Sequence, residues 1–172
     1  MKRLAILLAA LALPGCGLHP LYAGGGSGAV ATALNRVDVS PIQGKAGWLM
    51  ANALRDRLGA GGNGGAAKYR LDVKLDDQIT GLGVRPDNSV SRERRSLRAR
   101  FQLVDAASGA VVVDATAGSD AGIDVITSEY ATIAAENTAL ERLAGIVADQ
   151  VTARLAMRAR AGGLAAGASA AK

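Results

Sequence analysis

The sequence predicts an α+β domain: a two-layer α/β sandwich with a four-stranded, mainly antiparallel sheet and two helices on one face, in the order β-α-β-β-β-α. Three observations carry this. Residues 69–80 and the second half of 90–104 alternate apolar and polar side chains with the period of two of a half-buried strand. Residues 41–58 and 128–160 repeat apolar side chains at helical spacing. Gly- and Asp-rich breaks separate these segments. A sheet with one apolar face needs cover on that face alone. Two amphipathic helices supply it, and the other face stays open to solvent or a partner.

The elements follow in order. Leu34 to Val39 reads as the first strand. Ser40-Pro41-Ile42-Gln43 offers a helix start, with Ser40 as cap, Pro41 at the first position and Gln43 three after the cap. Gly44 leaves that onset open by several residues. The helix continues to Leu58 with Leu49 or Met50, Leu54 and Leu58 on one side, and the glycines from Gly59 to Gly65 end it. In the next strand Tyr69, Leu71, Val73 and Leu75 face one way, and Arg70, Asp72, Lys74 and Asp76 the other. Gly81 to Asn88 reads as a turn. Val90 to Val104 is a long strand with Leu97, Ala99, Phe101 and Leu103 on its apolar side. Asp105 to Gly109 connects it to a fourth strand, Ala110 to Ala117, and a Gly/Asp-rich link follows. Thr127 or Ser128 caps the last helix, whose buried stripe is Ile133, Leu140, Leu143, Val147, Val151 and Leu155.

The chain has 172 residues, which suits one domain. One His and one Cys leave no protein-only zinc site, disulfide framework or Cys-pair redox motif. No convergent set of titratable residues points to catalysis. The N-terminus reads as an export signal: Lys2 and Arg3 precede a ten-residue apolar run, Leu4 to Leu13, too short to span a bilayer. Leu13-Pro14-Gly15-Cys16 resembles a bacterial lipobox, in which the Cys thiol is acylated and the chain is cut before it. More than one acyl chain gives stable anchoring. The expected divisions are a signal peptide at 1–15, a lipidated flexible tether at 16–33, one domain at 34–160 and a disordered tail at 161–172. Removing Lys2 and Arg3 leaves 18 basic against 15 acidic residues, a net +3. His19, three residues after Cys16, sits in the tether and has no second His to work with.

Cys16-Gly17-Leu18-His19-Pro20-Leu21-Tyr22, followed by these strands and helices in this order, resembles the opening of the lipopolysaccharide-assembly lipoprotein family (LptE) in its alphaproteobacterial branch. The resemblance implies a non-catalytic lipoprotein on the periplasmic face of the outer membrane. It implies a large outer-membrane β-barrel partner, whose lumen such a protein plugs and whose assembly it helps, and binding of lipopolysaccharide during export. Gly17, rather than Asp, after the Cys is compatible with outer-membrane sorting. No cofactor is expected beyond the covalent diacylglycerol and acyl lipid on Cys16. The alternative is an accessory lipoprotein of a periplasmic lipid or toxicant transport system.

Between Arg85 and Arg100 six Arg meet two acids, Asp87 and Glu93, for a local +4. Arg92, Arg94, Arg98 and Arg100 share one strand face, with next-but-one neighbours about 6.5–7 Å apart. Two readings stay open. The row is a solvated face with Asp72 and Asp76 of the preceding strand as cross-strand partners. Or it binds lipid A phosphates or acidic groups of a barrel lumen, which the planar guanidinium fork suits. Nucleic acid is not an expected partner: export removes it, and Phe101, the one aromatic of the strand, falls on the apolar side. Trp48 is expected to pack between helix and sheet. Asp76 and Asp77 point to opposite faces, so they do not form a catalytic carboxylate pair.

Overall fold

The computed structural model describes residues 25–59, 66–84, 90–125, 128–162 and 164. A 3-10 turn at Gly25–Ser27 leads into α1 (Ala29–Leu34), β1 (Val37–Val39), α2 (Gly44–Leu58), β2 (Tyr69–Val84), β3 (Val90–Asp105), β4 (Val111–Asp124) and α3 (Glu129–Arg160). The sheet has the order β1-β2-β3-β4. β1 runs parallel to β2, because α2 carries the chain back to the end of the sheet where it began. The other pairings are antiparallel. The α+β, mostly antiparallel sandwich is therefore the fold the alternation predicts.

The inner face of β3 carries Leu97, Ala99, Phe101 and Leu103, all at 0% exposure. Leu140, Leu143, Val147, Val151 and Leu155 of α3 and Met50, Leu54 and Leu58 of α2 pack in the same core. The two helices are parallel. Lys45 Nζ donates to Asn137 Oδ1 at 2.7 Å, and Arg57 Nε lies 2.5 Å from Asp149 Oδ1, so twelve residues on α2 keep step with twelve on α3. At the far end of the inner face the core gives way to an ion pair. Arg95 grips Asp77 with Nε at 2.8 Å and Nη2 at 2.6 Å, and its Nη1 donates to the Glu136 carbonyl at 2.9 Å. Asp76 stands on the opposite face, as strand geometry requires.

β4 is an edge strand, and α3 covers part of that edge. Gln150 receives from the Gly118 amide at 3.2 Å and donates to the Gly118 carbonyl at 3.3 Å; Arg154 Nη1 donates to the Thr116 carbonyl. Side chains thus satisfy backbone groups that would otherwise be free to template another strand.

Several expectations are corrected. Three α-helices occur among the described residues, not two. Residues 29–34, expected as part of a tether and the start of a strand, form α1, because Val30 and Leu34 are one helical turn apart and both are buried in the core. β1 is confined to Val37–Val39. α2 starts at Gly44 rather than near Ser40, because the Ser40 hydroxyl is committed to Asp72 Oδ1 at 2.6 Å. Its amide is committed as well, to the Leu71 carbonyl at 3.1 Å, which prolongs the parallel ladder. β2 runs through Gly81–Val84, expected as turn, and β4 runs to Asp124, past the expected end at Ala117. Ile133 is 48% exposed and Trp48 64% exposed, so neither is core. Leu164, in the expected disordered tail, is 4% exposed, and its carbonyl accepts the Tyr69 hydroxyl. Ser128 does cap α3, accepting from the Ala131 amide at 3.4 Å.

The β3–β4 turn predicts an acid response. The Asp105 carboxylate accepts from the Ser108 amide at 2.9 Å, the Ser108 hydroxyl at 3.0 Å and the Ala107 amide at 3.1 Å. These bonds, Ser108 first, hold its carboxyl below the usual carboxylate range. A carboxyl lowered by folding stabilises fully above its unfolded value of about 3.9 and loses that contribution as pH falls through the lower folded value. Urea midpoints taken from pH 6 to pH 3 should fall at the acid end for the natural chain and fall less for Asp105→Asn. Equal slopes would remove Asp105 from the acid response.

Candidate functional site

The candidate surface is the open face of the sheet. Strand alternation puts the side chains opposite the core here, and the pairing register arranges them in rows. Lys74, Arg100 and Thr116 lie across from one another, then Asp76, Arg98 and Gly118, then Gln78, Ser96 and Asp120, then Thr80, Arg94 and Gly122, then Leu82, Arg92 and Asp124. All four arginines expected on this face, Arg92, Arg94, Arg98 and Arg100, are there and exposed.

Their partners are not the expected ones. Arg92 Nε lies 2.9 Å from Asp124 Oδ1. Arg98 Nη2 reaches both oxygens of Asp120, at 3.1 and 2.9 Å, and Arg100 holds Asp114 through Nε at 3.2 Å and Nη2 at 3.0 Å. These carboxylates belong to β4. Asp72 pairs with Arg70 of its own strand at 3.0 Å, and Asp76 accepts from Gln78 at 3.0 Å. The expectation of Asp72 and Asp76 as cross-strand partners is therefore overturned. The reason is the length of β4. The segment read as a link carries Asp120 and Asp124 along the strand that borders β3, one diagonal step or directly opposite from the arginines.

Gly118 shapes this arrangement. A Cβ there would sit 2.4 Å from Arg98 Cδ and 3.0 Å from the Leu97 carbonyl oxygen. Its absence lets Arg98 lie flat across β4, where Nη1 also donates to the Ser119 carbonyl at 3.0 Å. Asp120 is held below the usual carboxylate range by the Ser96 hydroxyl first, at 2.5 Å, then by Arg98, with a smaller contribution from the Arg94 charge. Asp114 is lowered by Arg100 first and then by Gln102. Arg94, flanked by Thr80 and Gly122, forms no ion pair among the described residues.

The charge count changes accordingly. Among the described residues this face has six cations (Arg70, Lys74, Arg92, Arg94, Arg98, Arg100) and six carboxylates (Asp38, Asp72, Asp76, Asp114, Asp120, Asp124). The local excess on β3 is balanced by the protein itself, mostly from β4. Chemically, the face is a lattice of exchangeable Arg–carboxylate forks, with Arg94 outside the ion pairs formed among the described residues. An incoming phosphate can replace a carboxylate without any arginine being desolvated alone.

Cys16 and His19 lie outside the described residues. Among the described residues no cluster of three candidate metal ligands occurs, and no helix is long and apolar enough to cross a membrane.

Comparison with known proteins agrees with the architecture. A lipoprotein from Caulobacter crescentus CB15 shares 28% identity with a TM-score of 0.65, over 78% of this chain and 97% of that one. A minor lipoprotein of Acinetobacter baumannii matches at 14% identity and TM-score 0.54, over 71% of this chain and 89% of the other. Lipoprotein B of Nitrosomonas europaea matches at 12% identity and TM-score 0.55, over 75% and 84%. These last two share the fold. No curated protein sequence matches. The family profile described as LptE, Lipopolysaccharide-assembly, matches residues 34–155, from the end of α1 to the last turns of α3. The chain belongs to the LptE lipopolysaccharide-assembly family.

Proposed function

We propose that this protein is a non-catalytic outer-membrane lipoprotein, anchored through acyl lipid on Cys16 at the periplasmic face. In this reading it seats in a large β-barrel lipopolysaccharide translocon, helps that barrel assemble and contacts lipopolysaccharide in transit. The family match over residues 34–155 carries the reading. Two surface features support it. The open sheet face offers forks that trade carboxylate for phosphate. Large side chains stand out on the helical side: Trp48 at 64%, Tyr130 at 84% and Ile133 at 48% exposure. Exposed aromatics of this kind anchor protein interfaces more often than other residue types.

Affinity capture from solubilised outer membranes should return a large β-barrel protein in near-equal amount, and depletion of the protein should lower lipopolysaccharide on the cell surface. Capture of an inner-membrane transporter alone, with surface lipopolysaccharide unchanged, would instead favour a periplasmic lipid-transport accessory. Trp48→Ala with Tyr130→Ala should leave unfolding free energy within about 0.5 kcal/mol, as for other exposed positions, yet reduce barrel recovery severalfold. Undiminished recovery would clear these residues of a partner role.

A further inference from the structure

A second site lies at the opposite end of the domain from the Arg95–Asp77 pair. A cavity of about 480 Å³ opens between α1, the first residues of β2 and the C-terminal end of α3. That volume falls within the range of small-ligand pockets. Its wall is apolar where Ala33, Ala159, Leu164 and the Tyr69 ring meet. The Tyr69 hydroxyl is already spent on the Leu164 carbonyl, so the ring presents carbon to the cavity. Two cations stand on the rim, Arg36 and Lys68. Neither forms an ion pair among the described residues. Lys68 Nζ sits 5.4 Å over the Tyr69 ring and 3.5 Å from the Leu164 carbonyl, which leaves donors to spare. The nearby Asp105 is occupied by the Ser108 and Ala107 groups described above.

An apolar wall under two cations that form no ion pair among the described residues fits an amphiphile with an anionic head. The source of that amphiphile follows from where the chain enters. Gly25 lies next to α1, and α1 forms one side of the cavity. Eight residues separate Gly25 from Cys16, and the nine steps from one Cα to the next span at most about 32 Å. If Cys16 carries the membrane anchor, this end of the domain is the one held near the leaflet; that step rests on the anchoring reading. Met157, 55% exposed, and Val111, 54% exposed, stand at the same end and add apolar surface there.

We propose that this cavity binds an anionic phospholipid, with Arg36 and Lys68 on its phosphodiester and the Ala33–Ala159–Leu164 wall against the first part of its acyl chain. The site is separate from the open sheet face and would orient the domain on the leaflet that anchors it.

The test is calorimetric titration of the full lipidated chain in neutral detergent with three probes: short-chain phosphatidylglycerol, short-chain phosphatidylcholine and inorganic phosphate. Phosphatidylglycerol should bind, and the other two should bind at least tenfold more weakly. Arg36→Gln with Lys68→Gln should weaken phosphatidylglycerol about tenfold or more, with a native far-UV circular dichroism spectrum showing that the fold is kept. Thr32→Met, which narrows the cavity and keeps both cations, should weaken it as well. Equal binding of inorganic phosphate would make the apolar wall irrelevant, and equal binding of phosphatidylcholine would do the same for the cations; either overturns the proposal. So does unchanged binding by the double variant. Barrel capture and surface lipopolysaccharide read the proposed function independently, so failure of one leaves the other standing.

Discussion

Phe101→Ala lowers the unfolding free energy by about 3–5 kcal/mol, the range for truncating a fully buried aromatic ring. The upper part of that range is expected for a reason specific to this chain. Phe101 is its one phenylalanine and is 0% exposed in the C-terminal half of β3. Directly across the sheet stand Val73 on β2 and Ala115 on β4, and the next residues on the same face of β3 are Ala99 and Leu103. Val73, Ala115 and Ala99 are short, so little of the sheet around Phe101 can reach into the vacated volume. The cavity therefore persists, and its cost adds to the lost transfer free energy. Against a total stability of about 5–15 kcal/mol for an ordinary domain, this is a large fraction. Equilibrium urea unfolding measures it through the midpoint at unchanged slope. A loss below about 1 kcal/mol would mean that the sheet and α3 close over the gap, and that the core is less rigidly packed than the register implies.

The sequence was most informative where one residue's environment is set by strand or helix period alone. Alternation from Leu97 to Leu103 and the stripe from Leu140 to Leu155 identify the two surfaces that meet in the core, because burial on one side leaves that pattern whatever the neighbours are. It was least informative where two local signals compete. Ser40-Pro41 has every feature of a helix start, but Asp72 lies far along the chain and takes the Ser40 hydroxyl. Residues 29–34 have the composition of a linker, and only the buried pair Val30 and Leu34 shows the helix. Trp48 is large and apolar, and nothing local tells that its position on α2 is exposed. The candidate face was half legible. Its arginines lie in one clear alternating row. Their counter-ions were hidden, since Gly118 and Gly122 break the look of a strand although Asp114, Thr116, Asp120 and Asp124 keep its period. A glycine in a strand often marks a close approach, and Gly118 marks the place where Arg98 crosses.

That hidden half determines how the face should respond to charge changes in opposite directions. Changing Arg92, Arg94, Arg98 and Arg100 to Gln takes the face from six cations and six carboxylates to two and six. The loss is thus double: forks for phosphate disappear, and uncompensated Asp114, Asp120 and Asp124 remain to repel it. Lipopolysaccharide binding should weaken on the order of 30-fold, the product of several modest exposed contacts. Changing Asp114, Asp120 and Asp124 to Asn does the reverse. It frees Arg92, Arg98 and Arg100 from intramolecular partners and leaves six cations against three carboxylates, so binding should tighten by about tenfold by the same measure. Both shifts should shrink as salt is raised, since the groups are exposed. Surface plasmon resonance on immobilised lipopolysaccharide at two salt concentrations checks all of this in one series. A row that merely serves the sheet would show the same binding for all three proteins, with only the unfolding midpoint altered. If the two sets move binding in opposite senses, the arginines of β3 contact the glycolipid, and the aspartates of β4 set how tightly it is held.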